Sequence, residues 1–153
     1  MSGVVSDASP LIALHQIGQL GLLGTIFGTV LIPPAVAREA LSVERPSWIL
    51  ERAPAKPLPP AVTRPGLGAG ESEAISLALE LSADRVIIDE LAGRSLAQHL
   101  GLPVIGTLGI LLVAKRRGLI PAIRDPIDIL RRGGFRVANE LYESMLQRAG
   151  ELP

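Results

Sequence analysis

Six carboxylates stand where this sequence could concentrate chemistry. Asp7 ends the apolar run "VVSD", Glu39 lies in "IPPAVAREAL", Glu71 and Glu73 open "GESEAISLALE", and Asp89 and Glu90 close "RVIIDE". Carboxylates held together repel one another and raise each other's proton affinity unless a cation neutralises them. Asp89 directly follows the apolar "VII", where a charge is costly to bury unless it is paired or bound to a cation. Without a convergent set of histidines, such a group suits a hard ion, Mg²⁺ or Mn²⁺, better than zinc. A site of that kind can activate water and stabilise an in-line displacement at a phosphodiester.

Each acid also has an ordinary reading. Asp7 can simply punctuate a strand, Glu71 and Glu73 can complement a helix dipole, and Glu39 can be a solvated helix residue. What separates the two readings is whether the elements bring the acids to one place.

Those elements alternate. Val4–Asp7 reads as a short buried strand, and Ser9 and Pro10 as an N-cap and the first residue of a helix. Helix follows over Gln19–Phe27, strand over Thr29–Pro34 and helix over Pro34–Leu41. A Pro-rich excursion over 43–66 contains "WILERA", an edge-strand candidate. Helix is expected over Gly70–Ala83 and strand over Arg85–Glu90, followed by helix, the strand "PVIG" and the helix "TLGILLVAKRRG". Two further helices, Asp125–Arg132 and Val137–Ala149, fall within a C-terminal section over 124–149. Wholly apolar strands alternating with helices predict an α/β fold with a parallel sheet covered on both faces. In such sheets the functional crevice lies at the carboxyl ends of the strands, where Asp7, Asp89 and Glu90 fall.

Composition narrows the function classes. The 153 residues fit one domain spanning 1–153, and the 3% aromatic content leaves a core of Leu, Ile, Val and Ala with little surface for stacking bases. Fifteen basic and fifteen acidic residues give no global field to draw in nucleic acid, so any such binding must be local. The absence of cysteine removes disulfides, thiol catalysis and Cys-ligated zinc, and fits a cytoplasmic protein. Ala8–Ala37 carries no charged side chain, but prolines, glycines and glutamines cut it into pieces too short to span a membrane.

Other motifs carry less. In "GLGAGE" the third glycine of a dinucleotide fingerprint would fall on Glu71, and the sequence contains no phosphate-binding P-loop. His15 and His99 stand apart on predicted helices, and no D-x-D follows the first strand to suggest a phosphomonoesterase. Arg94 can contact a phosphate or close a surface ion pair. Lys115–Arg117 end a helix where cations favour the dipole. Arg124, Arg131, Arg132 and Arg136 form a second basic cluster, either a rim for RNA or a solvated face.

The order of "SDASPLIAL", "IPPAVAREAL", "GESEAISLALE" and "VIIDELAGR" resembles the PIN domain family, and within it the small prokaryotic VapC toxin type and its uncharacterised relatives. The resemblance runs from Val4 to about Gly118. It implies a three-layer α/β/α sandwich, an acidic pocket for Mg²⁺ or Mn²⁺, RNA phosphodiester hydrolysis, a small antitoxin partner encoded alongside, and a homodimer. It makes Asp7, Glu39 and Asp89 metal ligands, puts Glu73 where the family commonly has an aspartate, and matches Ser9 to the polar residue two places after the first acid. "IIDE" replaces the usual Thr-x-Asp, which leaves open whether Asp89 or Glu90 faces the pocket. A relative with a drifted pocket, serving only to bind nucleic acid or protein, is the alternative.

Overall fold

A computed structural model describes residues 3–40, 42–63 and 66–152. Leu41, the expected last residue of one helix, and Pro65, within the Pro-rich excursion, lie outside the described residues.

Five short strands form one parallel sheet: β1 (Val4–Ser6), β2 (Val30–Ile32), β3 (Ile49–Glu51), β4 (Arg85–Ile87) and β5 (Val104–Ile105), in the order β3-β2-β1-β4-β5. The central strand β1 is buried along its length, as a strand covered on both faces must be. "WILERA" supplies the edge strand β3, beside β2.

The helices are α1 (Ala8–Gln16), α2 (Gly21–Phe27), α3 (Pro34–Glu39), α4 (Ala69–Leu81), α5 (Leu91–His99), α6 (Thr107–Arg116), α7 (Arg124–Arg132) and α8 (Asn139–Arg148). One group joins α6 to α1, α2 and α8; the other joins α4 to α5, β1 and β4. The sheet lies between them in the α/β/α sandwich anticipated from the sequence. Helix α3 touches both α1 and α4, so a side chain at its C-terminal end stands between the layers. Among the described residues no single helix is long and apolar enough to cross a membrane, and the uncharged N-terminal run is divided between α1 and α2, bent 120° apart.

The core is aliphatic, with Leu11, Leu23, Ile75, Ile87, Ile110 and Leu111 among its fully buried side chains. Burial of each such side chain contributes about 1.5–3 kcal/mol. Truncating one, for example Leu111→Ala, would cost about 2–5 kcal/mol once the cavity is included.

Several boundaries differ from the sequence reading, and the differences have causes. Helix α1 starts at Ala8 with Asp7 as its N-cap, two residues before the Ser9 cap expected. Pro10 then occupies the third helical position, where its missing N–H still costs nothing because the first four N–H groups have no partner inside the helix. Strand β4 ends at Ile87 rather than Glu90, although Ile88 N–H still donates to Ile105 O (3.1 Å) and carries the pairing one residue further.

A candidate acidic active site at the end of the sheet

The strand order reverses beside β1: the chain leaves β1 toward β2 on one side and returns through β4 on the other. This is where ligands bind in open parallel sheets. Asp7 follows β1 directly, with its N–H donating to Ile87 O of β4 (2.9 Å), so its backbone is locked to both central strands.

Asp7 is 2% exposed, and its Oδ1 is buried with no hydrogen-bond partner among the described residues. Although Asp7 is the N-cap of α1, its side chain makes no capping hydrogen bond. Burial pushes its pKa up to about 7; the Ala8 backbone N–H pulls it down, and the charges of Glu71, Glu39 and Glu90 push it up again. A buried carboxylate normally finds a partner, so an orphaned oxygen needs an explanation.

Glu71 is the second such group. It lies in the first turn of α4, is 8% exposed, and uses Oε1 to accept the N–H of Gly68 (3.1 Å). This is one half of a capping box, which Gly68, lacking a side chain, cannot reciprocate. Its Oε2 is buried and unpartnered. Burial raises the Glu71 pKa, the Gly68 N–H lowers it, and Glu90 and Glu39 raise it further.

Glu39 and Glu90 are both exposed and complete the group of acids whose charges press on Asp7. Glu39 sits at the end of α3 and accepts the N–H of Gly70 (2.9 Å), which ties it to the start of α4. Glu90 is the residue preceding α5.

Two other acids expected at the site also bond to helix starts, as Glu39 does. Glu73 accepts the N–H of Ala35 (3.1 Å) and so caps the start of α3. Asp89 accepts the N–H of Thr107 (2.8 Å) at Oδ1 and its hydroxyl (2.6 Å) at Oδ2, capping α6 from a neighbouring element. Burial raises the Asp89 pKa, Thr107 and Arg94 lower it, and Glu90 raises it. The structure thus brings Asp7, Glu39, Glu71 and Glu90 together electrostatically, while Glu73 and Asp89 hold helices in place at the edges.

Thr107, fully buried, was not foreseen from the sequence. Its signal lies in the pairing of β4 with β5: continuing the register Ile87↔Ile105 by two residues sets Asp89 beside Thr107.

Ser9 is half-buried in the first turn of α1, two residues past Asp7. Arg94 of α5 donates weakly to Ile88 O (3.5 Å) and lines a groove of about 420 Å³ with Asp89, Gly106, Phe135, Arg136 and Arg148. Arg136 is therefore the member of the predicted basic cluster that reaches the groove, and Arg148 joins it from α8 without having been singled out. Arg124 and Arg131 serve the C-terminal helices: Arg124 donates to Tyr142 Oη (3.4 Å), and Arg131 lies 4.6 Å from the centre of the Tyr142 ring and donates to Asn139 Oδ1 (2.7 Å).

The donor set is all oxygen, as Mg²⁺ or Mn²⁺ prefers. The orphaned oxygens of Asp7 and Glu71 fit a cation, since nothing else among the described residues satisfies them. With the side chains as they stand, no three His, Cys, Asp or Glu groups among the described residues are close enough to hold a metal ion. Closing the set therefore falls to the exposed side chains of Glu90, which has room to turn, and Glu39, which would have to loosen its bond to the Gly70 N–H.

A family model described as a PIN domain matches residues 3–151. No curated protein and no solved structure matches the chain.

Proposed function

The chain belongs to the PIN domain family, whose members are generally nucleases that use divalent metals, and on that premise we propose that it is a Mg²⁺- or Mn²⁺-dependent ribonuclease. The observation that carries this reading is the pair of buried, unpartnered carboxylate oxygens, Asp7 Oδ1 and Glu71 Oε2, at the switch point of a parallel sheet. Leaving even one buried polar group unsatisfied costs about 1–3 kcal/mol, more when it is charged. Two such groups, with the charges of Glu71, Glu39 and Glu90 all acting on Asp7, support the reading of a cation site.

In this reading Asp7 and Glu71 form the buried floor and Glu39 and Glu90 the exposed wall of the metal site. A metal bound there supplies a water of lowered pKa and offsets the charge that develops at phosphorus. Hydrolysis would add water across one P–O bond of the RNA. The chain's own part is to hold the floor rigid: Asp7 through its backbone link to β4, and Glu71 through Gly68. Thr107 keeps Asp89, and with it the turn that presents Glu90, in place. Arg94, Arg136 and Arg148 offer the adjoining groove to the phosphates of the strand, and Ser9 offers a hydroxyl beside Asp7.

The finer form of the proposal is the toxin of a toxin–antitoxin pair, cytoplasmic, dimeric, and held inactive by a small protein partner. Its support is the resemblance of the four acidic segments to the VapC type.

A second reading has its own observation. Glu39, Glu73 and Asp89 are all bonded to helix starts and, among the described residues, the acids do not converge as they stand, which favours a binding module whose pocket has drifted from catalysis. Calorimetric titration with Mn²⁺, run beside an RNA cleavage assay with chelator and Asp7→Asn controls, separates the two. Metal-dependent cleavage lost in Asp7→Asn is the expected result. A folded protein that neither binds Mn²⁺ nor cleaves would establish the drifted module.

A further inference from the structure

Glycines at the pocket are placed by space rather than by backbone conformation. Gly70 and Gly93 are both helical, with no positive φ, so any residue could adopt their backbone geometry. A Cβ on Gly70 would stand 2.7 Å from Glu39 Oε2. A Cβ on Gly93 would meet Glu71 Oε2, the unpartnered oxygen, at a distance real Cβ atoms do not show. Glycine inside a helix is unfavourable relative to alanine, so its use on the buried face of α5 calls for a reason.

We propose that Gly93 is a positioning residue of the metal site: its bare Cα leaves the volume that the Glu71 carboxylate occupies. The inference rests on the pocket being a cation site, but the geometry it concerns is that of the chain alone. The obstacle to a methyl group at position 93 is chiefly the far end of a flexible side chain, with Ile88 Cγ2 next at 3.2 Å. A flexible end can move where a backbone cannot. A methyl group here should therefore displace the carboxylate and spare the fold.

The test uses the full chain in four forms: wild type, Gly93→Ala, Glu71→Asp and the double variant. The readouts are Mn²⁺ affinity by calorimetry, the thermal midpoint in chelator, and the ¹³C carboxyl resonances of Asp7 and Glu71 in chelator. Gly93→Ala is expected to shift both resonances and weaken Mn²⁺ binding by about 10-fold to 100-fold, as loss of a group that orients a ligand does. Its thermal midpoint should stay level or rise. In the double variant the shorter aspartate makes room for the added methyl, so Gly93→Ala should cost far less affinity in the Glu71→Asp background than in wild type.

Unchanged resonances and unchanged affinity in Gly93→Ala would overturn the proposal, as would a methyl that costs as much in the Glu71→Asp background as in wild type. If Gly93→Ala does not fold, the double variant decides. Recovery of folding would support the steric account, whereas continued unfolding would place the clash at Ile88 and overturn it. A wild type that fails to bind Mn²⁺ would count against the cation site, and the resonances in chelator would still read the Gly93 effect by themselves.

Discussion

Two carboxylates in this molecule, Asp7 and Glu151, are in opposite electrostatic conditions. Glu151, near the C-terminal end, accepts the ammonium of Lys115 (3.0 Å) and the backbone N–H groups of Ile123 (2.8 Å) and Arg124 (3.1 Å). Burial alone would raise its pKa, but those three donors outweigh it and bring the pKa below the usual value. Asp7 has an empty Oδ1 and three acids around it, and its pKa is driven up to about 7. Satisfaction is the mark of a structural carboxylate. Where the sheet meets its crevice, the fold instead retains a carboxylate that it does not satisfy, and a binding function accounts for that.

The sharpest break of this comparison is to remove each charge. Asp7→Asn is expected to reduce cleavage by at least about 10²-fold, the scale on which a positioned catalytic group acts. In chelator near pH 8 the same variant should be more stable than wild type, because it removes a buried charge that lacks compensation. Glu151→Ala should do the reverse. It leaves the Ile123 N–H without its partner and Lys115 without its anion, costing about 1–3 kcal/mol or a fall in thermal midpoint of about 2–10 °C, with Mn²⁺ affinity unchanged. Thermal unfolding of both variants checks this, and a destabilised Asp7→Asn would show that Asp7 is structural after all.

A second effect, of a few kcal/mol at most, is the pH dependence of the metal-free protein. Asp7 has a folded pKa near 7 against an unfolded value near 3.8, so the native state holds a proton there that the unfolded state releases. That contribution to stability is fully present below about pH 4 and is lost as pH rises through 7. Glu71 and Asp89, also raised, act in the same direction. Unfolding in chelator should therefore become easier from pH 5 to pH 8, and saturating Mn²⁺ should flatten or reverse the trend. A flat profile without metal would mean that Asp7 is solvated or paired in solution.

Much of this was legible in the sequence, because strand burial is written in composition. "VVS", "VLI" and "RVI" alternate with helices, and Asp7 shows itself by ending the first apolar run. The choice between Glu71 and Glu73 was not legible. Two residues along a helix turn the side chain by about 200°, so the pair do not share a face, and the rotation of α4 against β1 is a property of packing. In the structure the charge of Glu71 acts on Asp7, and Glu73 caps α3. The same holds at the end of β4, where successive residues point to opposite sides and the partner of Asp89, Thr107, comes from another strand-to-helix junction. Gly93 was equally hidden: nothing in "ELAGRSL" says that a carboxylate from α4 lies against its Cα.

The smallest expected effect is the most discriminating about the site itself. Asp89→Asn keeps an acceptor for the Thr107 N–H or hydroxyl but not both at full strength, so it should cost about 1 kcal/mol, the scale of a lost helix cap, and leave Mn²⁺ affinity within a few-fold of wild type. Glu90→Gln should not lower stability, since Glu90 is exposed and its charge repels Asp7, Glu71 and Asp89, and should weaken Mn²⁺ binding more than Asp89→Asn does. Calorimetry on the two variants side by side decides. If Asp89→Asn proves the more damaging to metal binding, the Thr107 contacts must open when metal enters, and Asp89 becomes the ligand that the family resemblance implies. In that event the line between satisfied and unsatisfied carboxylates would describe the metal-free protein alone, with Asp89 moving across it on binding.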